Sequence, residues 1–108
     1  MVSIIYSTID KIIDARRIAH DLIENQLVAC VNIIPKIESV YRWKGKIENS
    51  EEFILIAKLP DNNVKKTIQR IKKLHPYELP DIIVLPIIGG LKDYLDYIVD
   101  ETSWDSYH

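Results

Sequence analysis

Few side chains in this sequence have the types and spacing that chemistry requires. The stretch HPYE places His75 beside Tyr77 and Glu78, in a loop whose backbone is constrained by Pro76. As a metal ligand, His75 would need Glu78 or groups of a neighbouring subunit to complete its ligand shell. As a structural residue, it would cap the preceding helix and hydrogen-bond a carbonyl. Metal ligands usually cluster, so an isolated histidine favours the structural interpretation.

Cys30 and Lys58 are the other reactive groups, and each has two interpretations. A cysteine within an apolar strand is more typical of a buried structural thiol than of a soft-metal ligand. Lys58 ends the apolar segment FILIAK, where an unpaired charge is costly. It forms either an ion pair with Glu48 or Glu52 between subunits, or a contact with an anion in a cleft between subunits.

Catalytic motifs are missing from the sequence. There is no G-x-S-x-G, no H-E-x-x-H, no phosphate loop and no cysteine–histidine spacing that suggests a dyad. Glu51 and Glu52 alternate across a strand, so they cannot both face one substrate. We therefore expect a protein that is not an enzyme.

The segment YRWKGK interleaves aromatic and basic side chains, as sheets that bind RNA do. However, the formal net charge is -2, and the glycine- and aromatic-rich signature of those modules is lacking. We expect no nucleic-acid partner, and we interpret this segment as a hairpin tip that contacts a neighbouring subunit.

Composition limits the class of protein. The 108 residues are 47% hydrophobic and 28% charged, which is typical of one folded domain over residues 1–108. The N-terminus lacks the pattern of a signal peptide, and the longest apolar run, Ile82–Ile88, is too short to cross a bilayer. The single cysteine suits a reducing compartment. We expect a cytoplasmic protein with no membrane partner.

Hydrophobic periodicity predicts the elements that position these residues. Thr8 and Asp10 follow a short N-terminal strand and are candidate N-caps of an amphipathic helix. A long hairpin comes next, with Lys44-Gly45 as its turn and an edge or bulge at Pro35.

The second half of the chain is predicted to contain two more helices and one more strand. A second helix ends before Pro76, and Asp81–Ile88 is a continuous apolar strand, which predicts burial on both faces. Leu91–Glu101 is a third helix, after which Trp104 and Tyr107 favour docking of the tail. The order βαββαβ with an extra C-terminal helix predicts an α+β, ferredoxin-like sandwich.

Alternation places large apolar side chains on both faces of the hairpin. Leu55 and Ala57 point to one face, and Ile54 and Ile56 to the other. The two main helices of such a sandwich cover one face of the sheet only. Six or more apolar side chains would then meet water, the scale at which a patch indicates association. We predict a homo-oligomer, whose number of subunits the pattern does not fix.

The segments LVACVNIIPKIESVYRWKGKIENSEEFILIAK and HPYELPDIIVLPI resemble the CutA divalent-cation tolerance family, in order and over nearly the whole chain. The resemblance implies a homotrimer whose long hairpins reach onto neighbouring subunits, similar in shape to the PII signalling trimers. It also implies a role in the tolerance or homeostasis of divalent metal ions, copper above all, without an obligatory cofactor.

The copper ligands that the resemblance implies are a cysteine at the end of the first strand and two adjacent histidines. These positions are Ser7, Leu74 and His75 here, so only His75 is retained. One imidazole without a thiolate is a poor ligand set for copper. We therefore expect weak binding of divalent copper, centred on His75.

Two alternative functions stay open. One is a PII-like signalling module that binds a small anionic ligand in the cleft between subunits. The other is a structural assembly protein that presents a surface to a partner. The residues predicted to line the inter-subunit cleft are Trp43, Lys58, Tyr77, Glu52 and Cys30.

Overall fold

The computed structural model describes residues 1–103, which form four strands and three helices. The predicted docking of Trp104 and Tyr107 lies outside the described residues. In chain order the elements are β1 (Val2–Ile9), α1 (Ile12–Glu24), β2 (Cys30–Trp43), β3 (Lys46–Pro60), a 3-10 turn (Asp61–Asn63), α2 (Val64–Leu74), β4 (Ile82–Pro86) and α3 (Lys92–Glu101).

The four strands form one antiparallel sheet in the order β2-β3-β1-β4. This topology confirms the predicted βαββαβ order with an additional C-terminal helix. Helices α1 and α2 pack on one face, where alternate strand residues meet the apolar stripes of the helices. The largest buried side chains of this core are Ile5, Ile9, Ile18, Leu22, Leu59 and Ile71.

The hairpin turn lies at the predicted position. Lys44 and Gly45 have φ angles of 50° and 81°, as a two-residue turn that matches the strand twist requires. The predicted N-caps of α1 are wrong, because α1 begins after Lys11 without a side-chain cap. Thr8 belongs to β1 instead.

A β-bulge interrupts β2 at Pro35, as predicted. Ile34 pairs with Ile54, but the next pair joins Ile37 to Glu52, so β2 uses one residue more than β3. Lys36 has a φ of 57° at this point. Because side chains alternate along a strand, the extra residue reverses which face each later residue of β2 occupies.

We call the side of the sheet opposite α1 and α2 the second face. Helix α3 packs on β1 and β3 and covers part of it, which the sequence analysis did not foresee. Lys58, which alternates away from the core, reaches α3: its Nζ lies 3.3 Å from the Tyr94 hydroxyl and 5.3 Å from the centre of that ring.

The prediction that the last strand is buried on both faces is wrong for this chain. Ile83 and Leu85 point to the second face and are 53% and 46% exposed. β4 is an edge strand of the sheet, and α2 packs against it from the core side. The apolar side chains of β4 therefore remain exposed to water in the fold of one chain.

Candidate functional site

A cavity of about 360 Å³ opens on the second face of the sheet. It lies where the β2–β3 hairpin, the end of β1 and the loop of residues 75–81 meet. Its volume is within the range of sites that bind small molecules. Aromatic and carboxylate side chains predominate in its lining: Tyr6, Tyr41, Trp43, Tyr77, Glu52 and Asp81.

The bulge in β2 explains why two of these aromatic side chains lie here. After the bulge, Tyr41 and Trp43 share a face with Glu52, because their strand has gained one residue. Tyr6 reaches the same face from β1, where it pairs with Ile56. One local irregularity thus assembles side chains that are distant in the sequence.

Glu52 and Tyr77 form the central pair of the cavity. The Tyr77 hydroxyl donates a hydrogen bond to Oε2 of Glu52 at 2.5 Å, and Glu52 is only 5% exposed. Within residues 1–103, the other oxygen, Oε1, has no hydrogen-bond or ion-pair partner. Burial raises the pKa of Tyr77 well above its ordinary value, and the carboxylates of Glu52, Asp10 and Asp81 raise it further.

Asp81 fixes the end of the loop to β1. Its Oδ1 accepts a hydrogen bond from the backbone N–H of Thr8 at 3.1 Å, and its Oδ2 accepts one from the Thr8 hydroxyl at 2.6 Å. Both oxygens of Asp81 are therefore engaged. Asp81 positions the loop, whereas Glu52 retains a free acceptor.

His75 is buried beneath the same loop, at 7% exposure. Its Nε2 lies 2.8 Å from the carbonyl oxygen of Thr8, and its Nδ1 accepts a hydrogen bond from the backbone N–H of Tyr77 at 3.1 Å. Since Nδ1 accepts, the proton lies on Nε2, which donates to Thr8. The His75 and Tyr77 rings also pack edge to face, with centroids 4.5 Å apart.

Both nitrogens of His75 thus have partners within the chain. A metal ion would have to displace one of these hydrogen bonds. In the part of the chain that the structure describes, no three His, Cys, Asp or Glu side chains are grouped as a metal ion requires. Weak copper binding at His75 stays a prediction.

The predicted cleft residues separate into two groups. Trp43, Glu52 and Tyr77 meet at the cavity. Cys30 and Lys58 pair with each other across β2 and β3 at the opposite end of the sheet. Within the single chain, Lys58 contacts Tyr94, and Cys30 is partly exposed rather than fully buried. The ion pair predicted for Lys58 between subunits stays a prediction.

Three of the aromatic and carboxylate residues that line this cavity were not predicted as site residues from the sequence: Tyr6, Tyr41 and Asp81. Tyr41 could have been predicted, since it lies two residues before Trp43 in a strand whose turn was correctly placed, and such residues share a face. Asp81 ends the segment HPYELPD, but its bonds to Thr8 join residues 73 positions apart in the chain. No local pattern predicts such a contact.

The fold and the site together define a class: an α+β sandwich with one open sheet face that contains a small-molecule-sized cavity. Residues 3–101 match the sequence model of the family described as CutA1 divalent ion tolerance protein. The chain therefore belongs to the CutA1 divalent ion tolerance family.

Curated relatives agree with this assignment. The divalent-cation tolerance protein CutA of Thermus thermophilus is 43% identical over 89 residues, which cover 82% of this chain and 86% of that protein. The CutA protein of Archaeoglobus fulgidus is 43% identical over 102 residues, or 94% of this chain and 98% of that protein.

Solved structures extend the similarity to the fold. The structure of the divalent cation tolerance protein from Thermus thermophilus superposes with a TM-score of 0.92 at 39% identity, covering 95% of this chain and 100% of that one. A structure from Nostoc sp. PCC 7120, described as a PII-like protein CutA, gives a TM-score of 0.87 at 35% identity, covering 94% and 97%.

Relatives are named for different compartments. The CutA of Arabidopsis thaliana, 34% identical over 92% of this chain and 54% of its own length, is called chloroplastic. The Archaeoglobus fulgidus structure, which has a TM-score of 0.92 at 40% identity and covers 95% of this chain and 100% of that one, is called periplasmic. Cytoplasmic location stays a prediction for this chain. Among residues 1–103, no helix has the length and apolar character needed to cross a membrane.

Proposed function

We propose that this chain acts in divalent-cation tolerance as a non-enzymatic homotrimer that responds to a small ligand bound in the second-face cavity. Membership of the CutA1 family supports the role in cation tolerance. The observation that carries the ligand-binding part is the buried Glu52–Tyr77 pair, which leaves one carboxylate oxygen free at a cavity of suitable size. The PII-like description of the Nostoc relative fits the same interpretation.

The apolar side chains of the second face support the homotrimer. Ile34, Ile83 and Leu85 are each at least 40% exposed there, although β-branched and leucine side chains are usually buried. Covering such side chains with another copy of the chain contributes about 25 cal/mol for each Å² of apolar surface removed from water. A neighbouring copy would in this way bury the apolar side chains that β4 leaves exposed.

Direct copper binding at His75 is the second candidate, favoured by the family's described role in divalent ion tolerance. Copper at Nδ1 would leave the N–H of Tyr77 unpaired, and copper at Nε2 would leave the carbonyl of Thr8 unpaired. Each unpaired buried group costs about 1–3 kcal/mol. The proposed affinity is therefore low.

Native mass spectrometry of the metal-stripped protein, with copper added stepwise, tests the assembly and the metal together. We expect a trimer that binds little copper at low micromolar concentration. A trimer with one copper per subunit, lost in His75→Ala but kept in His20→Ala, would instead establish the direct metal site. A monomer would contradict the proposed assembly.

A further inference from the structure

We infer that the second-face cavity binds a small organic cation, an ammonium compound whose charge lies against Glu52 and whose apolar part packs on the aromatic side chains. This inference rests on the proposed function and deepens it by naming the chemical class of the ligand. Three features of the cavity lead to it.

The first feature is the sign of the charges around the cavity. Its lining contains Glu52 and Asp81, and the adjoining depression, which shares Tyr41, Trp43 and Tyr77 with it, adds Asp10 and Glu78. Negative groups that converge on a low-dielectric cleft attract cations and repel anions.

The basic groups near the cavity do not reverse this sign. Lys44 lies 3.8 Å from Glu78 and 5.5 Å from the centre of the Trp43 ring, so it offsets one of these four carboxylates. Arg42 also lines the cavity, although alternation starts its side chain on the other face. Even with Arg42 and Lys44 counted, the four carboxylates outnumber the basic groups. Within the same chain, Lys58 lies away from the cavity beside Tyr94.

The second feature is the unmet acceptor of Glu52. A carboxylate has about four lone-pair sites, and the single hydrogen bond from Tyr77 occupies one of them. Glu52 as a whole is only 5% exposed, so its carboxylate is largely withdrawn from bulk water and has few water molecules to replace the missing hydrogen bonds. A charged N–H donor, or a quaternary ammonium close to it, restores the lost solvation better than a neutral group does.

The third feature is the aromatic wall. The faces of tyrosine and tryptophan rings attract cations, and an ammonium beside several rings is the usual arrangement in sites for methylated amines. The chain itself illustrates this attraction, because the Lys44 ammonium lies 5.5 Å from the centre of the Trp43 ring. Aromatic carbons are not metal ligands, so this lining favours an organic cation over a divalent metal ion.

Choline and its neutral isostere, 3,3-dimethyl-1-butanol, test the inference because they have nearly the same shape and differ in charge. Each is titrated into the protein of residues 1–108 by isothermal calorimetry. In parallel, the emission of Trp43 is followed in a Trp104→Phe background, so that one tryptophan reports. We expect choline to bind saturably at least about tenfold more tightly than the isostere.

Glu52→Gln removes the charge and keeps the shape of the side chain. We expect it to weaken choline binding about tenfold or more, with little effect on the isostere. Glu51→Gln is the matched control, since Glu51 is adjacent, exposed and on the opposite face. Circular dichroism of both variants verifies the fold, and the comparison of the two ligands on the unmutated protein needs no variant.

The outcomes separate this inference from the proposed function. Preference for choline that depends on Glu52 supports both. Equal binding of choline and the isostere, or choline binding that survives Glu52→Gln, overturns the cation inference while the cavity remains a ligand site. If none of choline, the isostere and an anionic probe, inorganic phosphate, binds to a folded trimer, both the inference and the ligand-binding part of the proposed function fail.

Discussion

The imidazole of His75 ties the loop after α2 to the end of β1, because its Nε2–H donates to the carbonyl oxygen of Thr8 at 2.8 Å. The second ring nitrogen accepts from the backbone N–H of Tyr77, two residues further along the loop. One buried side chain therefore determines where Tyr77 lies relative to β1. The geometry of the cavity depends on this bridge, whether or not His75 ever binds a metal.

His75→Ala is expected to lower the free energy of unfolding by about 2–3 kcal/mol, because it leaves a buried carbonyl and a buried N–H without partners. Urea denaturation measures the change. His20→Ala is the control, since His20 is exposed on α1 and its loss is expected to change the stability by less than about 0.5 kcal/mol. Equal stability of the two variants would contradict the bridging role.

Tyr77 is expected to make folding sensitive to alkaline pH. Its pKa is raised above 10.0 in the folded chain, so above that pH the unfolded chain loses a proton that the folded chain keeps. The stabilisation from this group is complete below pH 10 and declines as the pH rises above it. Urea denaturation at pH 9 and pH 11 measures the decline.

The matched variant is Tyr77→Phe, which keeps the ring and removes the hydroxyl. We expect it to lose about 1 kcal/mol at pH 9, from the hydrogen bond to Glu52, and to show a smaller decline between pH 9 and pH 11. Tyr97→Phe, in α3, controls for the removal of a tyrosine elsewhere. An unchanged decline in Tyr77→Phe would refute this assignment.

The Ser7 hydroxyl is expected to lower the free energy of unfolding relative to an alanine at this position. Its hydroxyl is a buried side-chain group without a hydrogen-bond partner in the described residues. Ser7→Ala removes the unpaired group, so we expect the free energy of unfolding to rise by about 1 kcal/mol. Ser3 offers the matched control on the same strand, because its hydroxyl donates to Asp61 at 2.5 Å. Ser3→Ala is expected to change the stability in the opposite direction.

Leu85→Lys is expected to dissociate the proposed trimer. Leu85 points to the second face and is half-exposed in the single chain, so a charge there costs little in a monomer but several kcal/mol if a neighbouring copy covers it. Native mass spectrometry over a dilution series measures the change. Ile13→Lys, an exposed position on α1, serves as the control. A trimer that persists in Leu85→Lys would place the subunit contact elsewhere.

The fold was largely predictable because its determinants are local. Alternation, the Lys44-Gly45 turn and the helix ends each depend on a few neighbouring residues, and each was placed close to its observed position. The position of α3 on the second face could not be predicted in this way. The packing of α3 against β1 and β3 joins distant parts of the chain, and within the chain it brings Tyr94 to Lys58.

The cavity was only half predictable for the same reason. Trp43, Glu52 and Tyr77 were expected at one cleft, and the structure brings them together. Their shared position depends on two facts that no local pattern gives: the loop path set by His75 and the face reversal at the bulge. Lys58 and Cys30 were predicted to line the same cleft between subunits, and within one chain they lie at the other end of the sheet. Local sequence patterns do not give such distances along a sheet.

Deletion of Lys36 tests the part that the bulge plays. Without the extra residue, the alternation of β2 after Pro35 shifts by one, and Tyr41 and Trp43 turn to the face opposite Glu52. We expect the emission of Trp43 to move to longer wavelength, in a Trp104→Phe background, because the indole leaves the cavity wall. Lys36→Gly is the control: it keeps the bulge, and a glycine adopts the φ of 57° without strain, so the emission should stay unchanged. If the deletion and the control give the same spectrum, the bulge does not determine the face of Trp43, because the chain recovers its alternation by another adjustment in the hairpin.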